Sequence, residues 1–534
     1  MSESPAPDHV LTDGWIHTLE PKVGVVQALA IRDGRILAAG TTESILRLAG
    51  SRTEVTALKG RCVLPGLIDS HLHLQHLAFA MTRVDCETDT LEACLSRVQD
   101  RAEGVPRGAW ILGHGWNQNS WGGFPDRERL DAVASGHPVY LTAKSLHAGW
   151  ANTAALALAG LDRNAADPPD GRLLRTPGGD LTGVLLEGAM RLVSVAIPAP
   201  SLEDIVHAIE TTQETLWSLG LTAVHDFDGP SCFAALQILR ERGTLGLRVL
   251  KSIPHDRLEE ALALGLRSGF GDDWLRLGAV KIFADGALGP RTAAMLAPYD
   301  GEPDNRGTLL QDRESLFEIA RQALPGGIAL AIHAIGDKAN HEVLEAFADV
   351  QRRLRGGEPP SMPSRIEHVQ LLHPDDVPRL AALGLVASMQ PIHAPSDMLM
   401  AERYWGSRTR TSYAWRSLEQ AGTRLVFGSD APVESPNPFW GLHAAVTRRR
   451  RDGSPGPEGW IPDERLARHQ ALNGFTRAPA ALAGLPGRQG TLQPSAYADL
   501  IVLDEDPLAC PEESIPSIRP RATMVDGRWR RRDF

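Results

Sequence analysis

Cysteine is scarce in this chain. The five cysteines (Cys62, Cys86, Cys94, Cys232, Cys510) are scattered over 534 residues, and no two stand in a Cys-x-x-Cys pair. Neither a disulfide framework nor a cysteine-built metal site is expected. No apolar run reaches membrane-spanning length, and Met1-Ser2-Glu3-Ser4-Pro5 offers neither a basic nor an apolar leader segment. The expected setting is therefore the cytoplasm, without a membrane partner. A glycine-rich phosphate loop and a dinucleotide fingerprint are both missing. Positive charge is also short: the net charge is −11, which argues against a nucleic-acid partner. The runs Arg448-Arg449-Arg450-Arg451 and Arg528 to Arg532 are short and local, and read as solvated faces.

What the chain has is length and a globular composition, with 43% hydrophobic and 23% charged residues. This suits one large barrel with a satellite domain, or two to three domains. Short strands and turns mark both ends. Gln27–Ile31 and Ile36–Gly40 flank an Asp33-Gly34 hairpin signal. Ala498–Leu503 and Thr523–Trp529 repeat the style at the C-terminus. The two ends are expected to form one small β-sandwich, from residues 1–61 and 485–534.

Between them, residues 62–484 alternate apolar strands with helical stretches. Eight strands are expected: Cys62–Ile68, Thr222–Phe227, Arg248–Ile253, Leu275–Phe283, Ile328–His333, Arg365–Val369, Leu385–Gln390 and Leu425–Phe427. Near-continuous apolar strands separated by helices indicate a parallel sheet covered on both faces, and eight of them indicate an α/β fold of the (β/α)8 TIM-like barrel type. The interval from His73 to Thr222 is longer than a crossover needs. It reads as an insertion after the first strand, at about residues 76–215, placed to act as a lid.

In such barrels chemistry sits where strands end. The first strand leads into His71 and His73, which share a face because side chains alternate along a strand. Taken alone, His-x-His fits a turn as well as a metal site. Further strand ends carry His225-Asp226, Lys281, His333, His368 and Asp430. Such a set converging on one mouth points to a divalent metal centre. Lys281 is a single charge inside Val280-Lys281-Ile282-Phe283. It either reaches an acid or solvent at the rim or is N-carboxylated, since burial favours the neutral amine that takes up CO2. Asp430 follows Leu425-Val426-Phe427-Gly428 and is the candidate general base; capping the segment before Pro432 is the plainer reading.

The segments Leu64–His73, Val280–Gly289, His333–Asp337, Ile366–His368, Gly428–Pro432 and Ala498–Asp504 together resemble the amidohydrolase superfamily. The similar branch is that of metal-dependent hydrolases which includes N-substituted formamide deformylase-like proteins. The resemblance spans nearly the whole chain. It implies that His71, His73 and Asp430 hold a buried metal, that His333 and His368 hold a second, and that a carboxylated Lys281 bridges them. One or two divalent ions, with Zn2+ first, follow from the same resemblance. So does hydrolysis of a non-peptide carbon–nitrogen bond, such as that of an N-acyl or N-formyl amine, by a metal-activated hydroxide with Asp430 moving the proton.

Candidate substrate groups are Trp116, Asn119 and His147 in the insertion, Arg291 after the fourth strand, and Gln390 and His393 after the seventh. Each fits a scaffold role equally well. The expected partner is a small-molecule substrate; a homodimer is open, with no segment marking an interface. Two other functions remain: deamination of a cyclic amidine or nucleobase-like substrate on the same site, and a non-enzymatic scaffold, which would be expected to have lost ligands.

Overall fold

The computed structural model describes residues 6–534, apart from 144–147, 170 and 354–359 and the side chains of 119 and 120. Two compact units are present: Met1–Leu77 with Ile209–Phe534, and Ala78–Ala208. Among the described residues no helix is long and apolar enough to cross a membrane.

The larger unit contains an eight-stranded parallel sheet wound as a TIM-like barrel. Its strands, in chain and hydrogen-bonding order, are Leu67–Leu72, Leu221–Asp226, Arg248–Pro254, Leu275–Phe283, Leu330–Ala334, Arg365–His368, Val386–Met389 and Arg424–Phe427. Every residue of the first, second, fifth, sixth and seventh is buried. That is the pattern of strands covered on both faces. The covering helices follow local rules. In Arg313–Ala323, Asp312 caps the start by accepting from Ser315 N, and Leu316, Ile319, Ala320 and Ala323 recur on the buried face.

The barrel closes between its first and last strands. Asp430 N donates to His71 O at 2.7 Å and His73 N to Ala431 O at 2.8 Å, just beyond the strand ends. The seam leaves no room for a side chain at Gly428, where a Cβ would lie 2.4 Å from His71 N and 2.7 Å from Asp69 Oδ1.

The expected strand Cys62–Ile68 is in fact two. Cys62–Pro65 belongs to a different sheet, pairing parallel with Trp15–His17 and antiparallel with Leu500–Leu503. At Gly66 the chain crosses over: Gly66 N donates to Asp499 O and Leu67 N to Gly220 O. A side chain at Gly66 would run into Thr222. The six-stranded sheet so formed runs Arg528–Arg532, Ala522–Val525, Leu500–Leu503, Cys62–Pro65, Trp15–His17, Val25–Val26. A four-stranded sheet of Arg35–Gly40, Ala28–Arg32, His9–Thr12 and Glu54–Ala57 shares its core, in which Leu11, Leu29 and Ile31 meet Val63, Leu500 and Met524.

The smaller unit has its own six-stranded sheet and a core that includes Trp116, Leu130, Val139 and Trp150. The arginine run at 448 is no solvated face. Arg448 is fully buried, its guanidinium 4.4 Å from the Trp415 ring centre and its Nη1 donating to Tyr413 O at 2.9 Å.

Because the seam admits only hydrogen at residue 428, Gly428→Ala should lower unfolding stability by about 1–3 kcal/mol, the usual cost of overpacking. Chemical denaturation of the purified variant measures this; unchanged stability would mean that the seam is loose.

Candidate metal centre

Asp69, buried within the first strand, aligns the site from below. Its Oδ1 accepts from His71 N at 3.1 Å and Ser429 N at 3.0 Å, and its Oδ2 from Ser429 Oγ at 2.5 Å. One carboxylate thus ties the ends of the first and eighth strands together. Burial pushes its pKa up to about 7, against the pull of these hydrogen bonds.

Above it, each histidine has one ring nitrogen engaged. His71 Nδ1 lies 2.6 Å from Glu367 Oε2, and Glu367 is itself paired with Arg365 Nε at 2.5 Å. His73 Nδ1 lies 3.2 Å from Asp228 Oδ1. His368 Nδ1 lies 2.9 Å from Gln390 Oε1. His333 uses the other nitrogen, Nε2, 2.9 Å from Gly286 O. An acceptor at one nitrogen fixes the proton there and leaves the second nitrogen as a bare donor to a cation.

Two of the free nitrogens converge on one carboxylate. His71 Nε2 and His73 Nε2 lie 3.4 and 3.6 Å from the same oxygen, Asp430 Oδ1. The His368 ring centre is 4.9 Å from that of His71 and 4.5 Å from that of His333. His71 Nε2 is buried with no hydrogen-bond partner. Burial holds His71 and His368 well below the ordinary histidine value and His333 at about 3, with Lys281 adding to the effect. These rings are therefore neutral, the form that binds metal. Burial raises the Asp430 carboxyl, while His393, His73 and Lys281 pull it the other way. A buried, unpartnered imidazole nitrogen facing a carboxylate fits a divalent ion of the zinc class.

Lys281 is buried, with its Nζ 4.5 Å from the Phe227 ring centre and 5.1 Å from that of Phe283. Among the described residues it forms no close ion pair, although the Glu367 and Asp430 carboxylates act on its charge. Burial lowers its amine to about 8. Beside it opens a cavity of about 320 Å³, lined by Phe227, Pro254, Lys281, Phe283, Leu310 and Gln311 among others.

The amidohydrolase family profile matches residues 54–530. The chain belongs to the amidohydrolase family. It is a hydrolase acting on carbon–nitrogen bonds, and its family uses divalent metal. This amidohydrolase is 33% identical over 520 residues to protein LONG AFTER FAR-RED 3 of Arabidopsis thaliana, covering 93% of this chain and 87% of the relative. It is 30% identical to putative amidohydrolase YtcJ of Bacillus subtilis, over 96% of this chain and 97% of the relative. It is 29% identical to N-substituted formamide deformylase of Arthrobacter pascens, over 97% of each. Among solved structures, an uncharacterized metal-dependent hydrolase of Pyrococcus horikoshii superposes with a TM-score of 0.77 at 31% identity, covering 94% of this chain and 99% of that one.

The six expected ligands of this amidohydrolase sit at the ends of five barrel strands, with His71, His73 and Asp430 in direct juxtaposition. The expected substrate groups fare differently. Trp116 is corrected to a core residue of the smaller unit: it is fully buried, its indole N–H donates to Leu141 O at 2.9 Å, and its faces meet Trp121 and Trp150. Arg291 is paired with Glu302 at 3.0 Å and donates to the Tyr404 hydroxyl at 3.3 Å. Gln390 holds His368. His393 stands 3.9 Å from Asp430 Oδ2 and accepts at Nδ1 from Gln370. His147 and the Asn119 side chain lie outside the described residues.

Sequence reasoning missed the supporting acids Asp69, Asp228 and Glu367. It also missed Lys251, a second lysine in an apolar strand, which pairs with Asp226 at 2.9 Å. The signal used for Lys281 applied equally to Lys251. His225 faces Arg365 Nη1 at 3.2 Å rather than the ligand group.

Asp228 also accepts from His76 Nδ1 and from the backbone N–H groups of Gln75 and His76. Those histidine contacts outweigh burial and hold its carboxyl below the usual range. Asp228→Ala should therefore weaken metal binding by roughly 10–100-fold, the usual cost of removing a ligand's partner. Competition with a chelating dye measures it, and wild-type affinity in the variant would remove Asp228 from the site's support.

Proposed function

We propose that this amidohydrolase cleaves the amide bond of a small N-acyl or N-formyl amine carrying an apolar substituent. The observation that carries the reading is the approach of His71 Nε2 and His73 Nε2 to one oxygen of Asp430. His71, His73 and Asp430 would hold one ion, His333 and His368 a second, and an N-carboxylated Lys281 would join them, with zinc the metal of choice. Metal bound here acidifies water and polarises a carbonyl oxygen.

The chain's own groups supply the rest. Asp430 takes a proton from the attacking water and returns it to the departing nitrogen. Its raised pKa brings its proton affinity closer to neutral pH, where proton transfer in both directions is efficient. Neutral histidines put no competing positive charge against bound metal. The lowered pKa of Lys281 makes the neutral amine accessible for carboxylation, in which the nitrogen lone pair adds to CO2 and one N–H proton is released.

The cavity wall supports the substrate class. Phe227 and Phe283 flank Lys281, and Phe283 and Leu310 leave 49% and 53% of their surface exposed. An apolar substituent on the amide would cover them. The similarity to N-substituted formamide deformylase supports an N-substituted amide. The apolar wall favours this over a polar, nucleobase-like ring.

Metal analysis of the purified protein should find one to two divalent ions per chain, and their removal by chelator should abolish activity toward a panel of N-acyl amines. Asp430→Asn should lower kcat by roughly 10²–10⁴-fold, the range for loss of a positioned base. Hydrolysis of cyclic amidines but not amides by the wild type would overturn the substrate class. Lys281→Ala should lose activity that short carboxylates restore in part. Because protonation blocks the amine, activation of metal-free protein by bicarbonate and zinc should be faster above pH about 8 than below it. A flat pH profile, or full activity in Lys281→Ala, would sink the carbamate.

A further inference from the structure

A second group of metal-binding side chains lies in the terminal sheets. His17, Cys62 and Asp506 each present a ligand atom, and these atoms lie within 4.8 Å of one another. We propose that these three residues form a binding site for a zinc-class divalent cation, which clips the first and last segments of the chain together.

The sheet brings them together. Cys62 is paired with Trp15 on one side and with Leu503 on the other. His17 ends the strand that begins at Trp15, and Asp506 lies three residues past Leu503. The Cys62 thiol is buried, with 3% of the residue exposed, and the His17 and Asp506 side chains are 13% and 18% exposed. The site is thus largely shielded from water, with an edge through which an ion enters.

The chemistry suits zinc. A thiolate, an imidazole and a carboxylate are three of its usual donors, and the two negative charges match a dication. His17 Nε2 and Asp506 Oδ2 are now hydrogen-bonded at 2.8 Å. Tetrahedral bonds of about 2.0–2.3 Å place neighbouring ligands about 3.3–3.8 Å apart, so this contact opens by about half an ångström. The Cys62 S–H bond breaks as the S–metal bond forms, and its proton goes to solvent. The His17 proton moves from Nε2 to Nδ1. Burial and the nearby Asp506 hold the thiol protonated in the absence of metal, so binding should strengthen with pH. The other cysteine group, Asp226, Asp228 and Cys232, is already committed: Lys251 pairs with Asp226, and His73 and His76 with Asp228.

The barrel site contributes no thiolate, so cobalt distinguishes the two. Full-length protein stripped of metal and reloaded with Co2+ should show a near-ultraviolet thiolate-to-cobalt charge-transfer band. That band should persist in His71→Ala, vanish in Cys62→Ser, and require at least tenfold more Co2+ in His17→Gln. Bound cobalt should fall by one equivalent in Cys62→Ser. Absence of the band in fully loaded wild type overturns the site without any variant. Persistence of the band in Cys62→Ser, or an unchanged titration in His17→Gln, overturns it as well. The proposed amide hydrolysis stands or falls separately, since it does not depend on this clip.

Discussion

The closure of the barrel between its first and eighth strands is the constraint on which the site depends. Residues that make the closing hydrogen bonds, His71, His73 and Asp430, are also those whose side chains converge. Backbone and side chain at these positions cannot be optimised separately. Asp69 enforces the register by binding both strand ends at once, and Gly428 lets them approach. The geometry of this candidate ligand group is thus set by the covalent and hydrogen-bonded frame, and the proposed cation would meet it with little reorganisation.

A second layer of acceptors decides which nitrogen each histidine offers. Glu367, Asp228, Gln390 and the Gly286 carbonyl each take one N–H. Three of these rings are turned so that Nε2 is left free, and His333 so that Nδ1 is. Burying the neutral His71 imidazole with Nε2 unpartnered is unfavourable for the protein alone. The paired groups around it, Glu367 with Arg365 and Asp69 with Ser429, offset part of that cost.

Much of this was legible in the chain, for a physical reason. Parallel barrel strands are buried on both faces, so a charged or imidazole side chain at their ends stands out against an apolar run. That contrast exposed His71, His73, Lys281, His333, His368 and Asp430. It did not expose their partners, because Asp228 and Glu367 act across distances of 155 and 296 residues that no local pattern records. The apolar run from Cys62 to Ile68 hid a change of sheet, since both sheets demand apolar residues and only Gly66 marks the crossing. Trp116 was misjudged because an aromatic beside polar neighbours fits a pocket and a core alike. Arg448 was misjudged because a run of like charges gives no sign of which member turns inward onto Trp415.

The shared six-stranded sheet imposes an order of events on synthesis. Cys62–Pro65 is made well before its neighbour Leu500–Leu503. Until then one edge of Cys62–Pro65 stays unpaired, and the chain leading into the first barrel strand has only Trp15–His17 to anchor it. The nascent protein must therefore carry an open strand edge until Leu500–Leu503 is made.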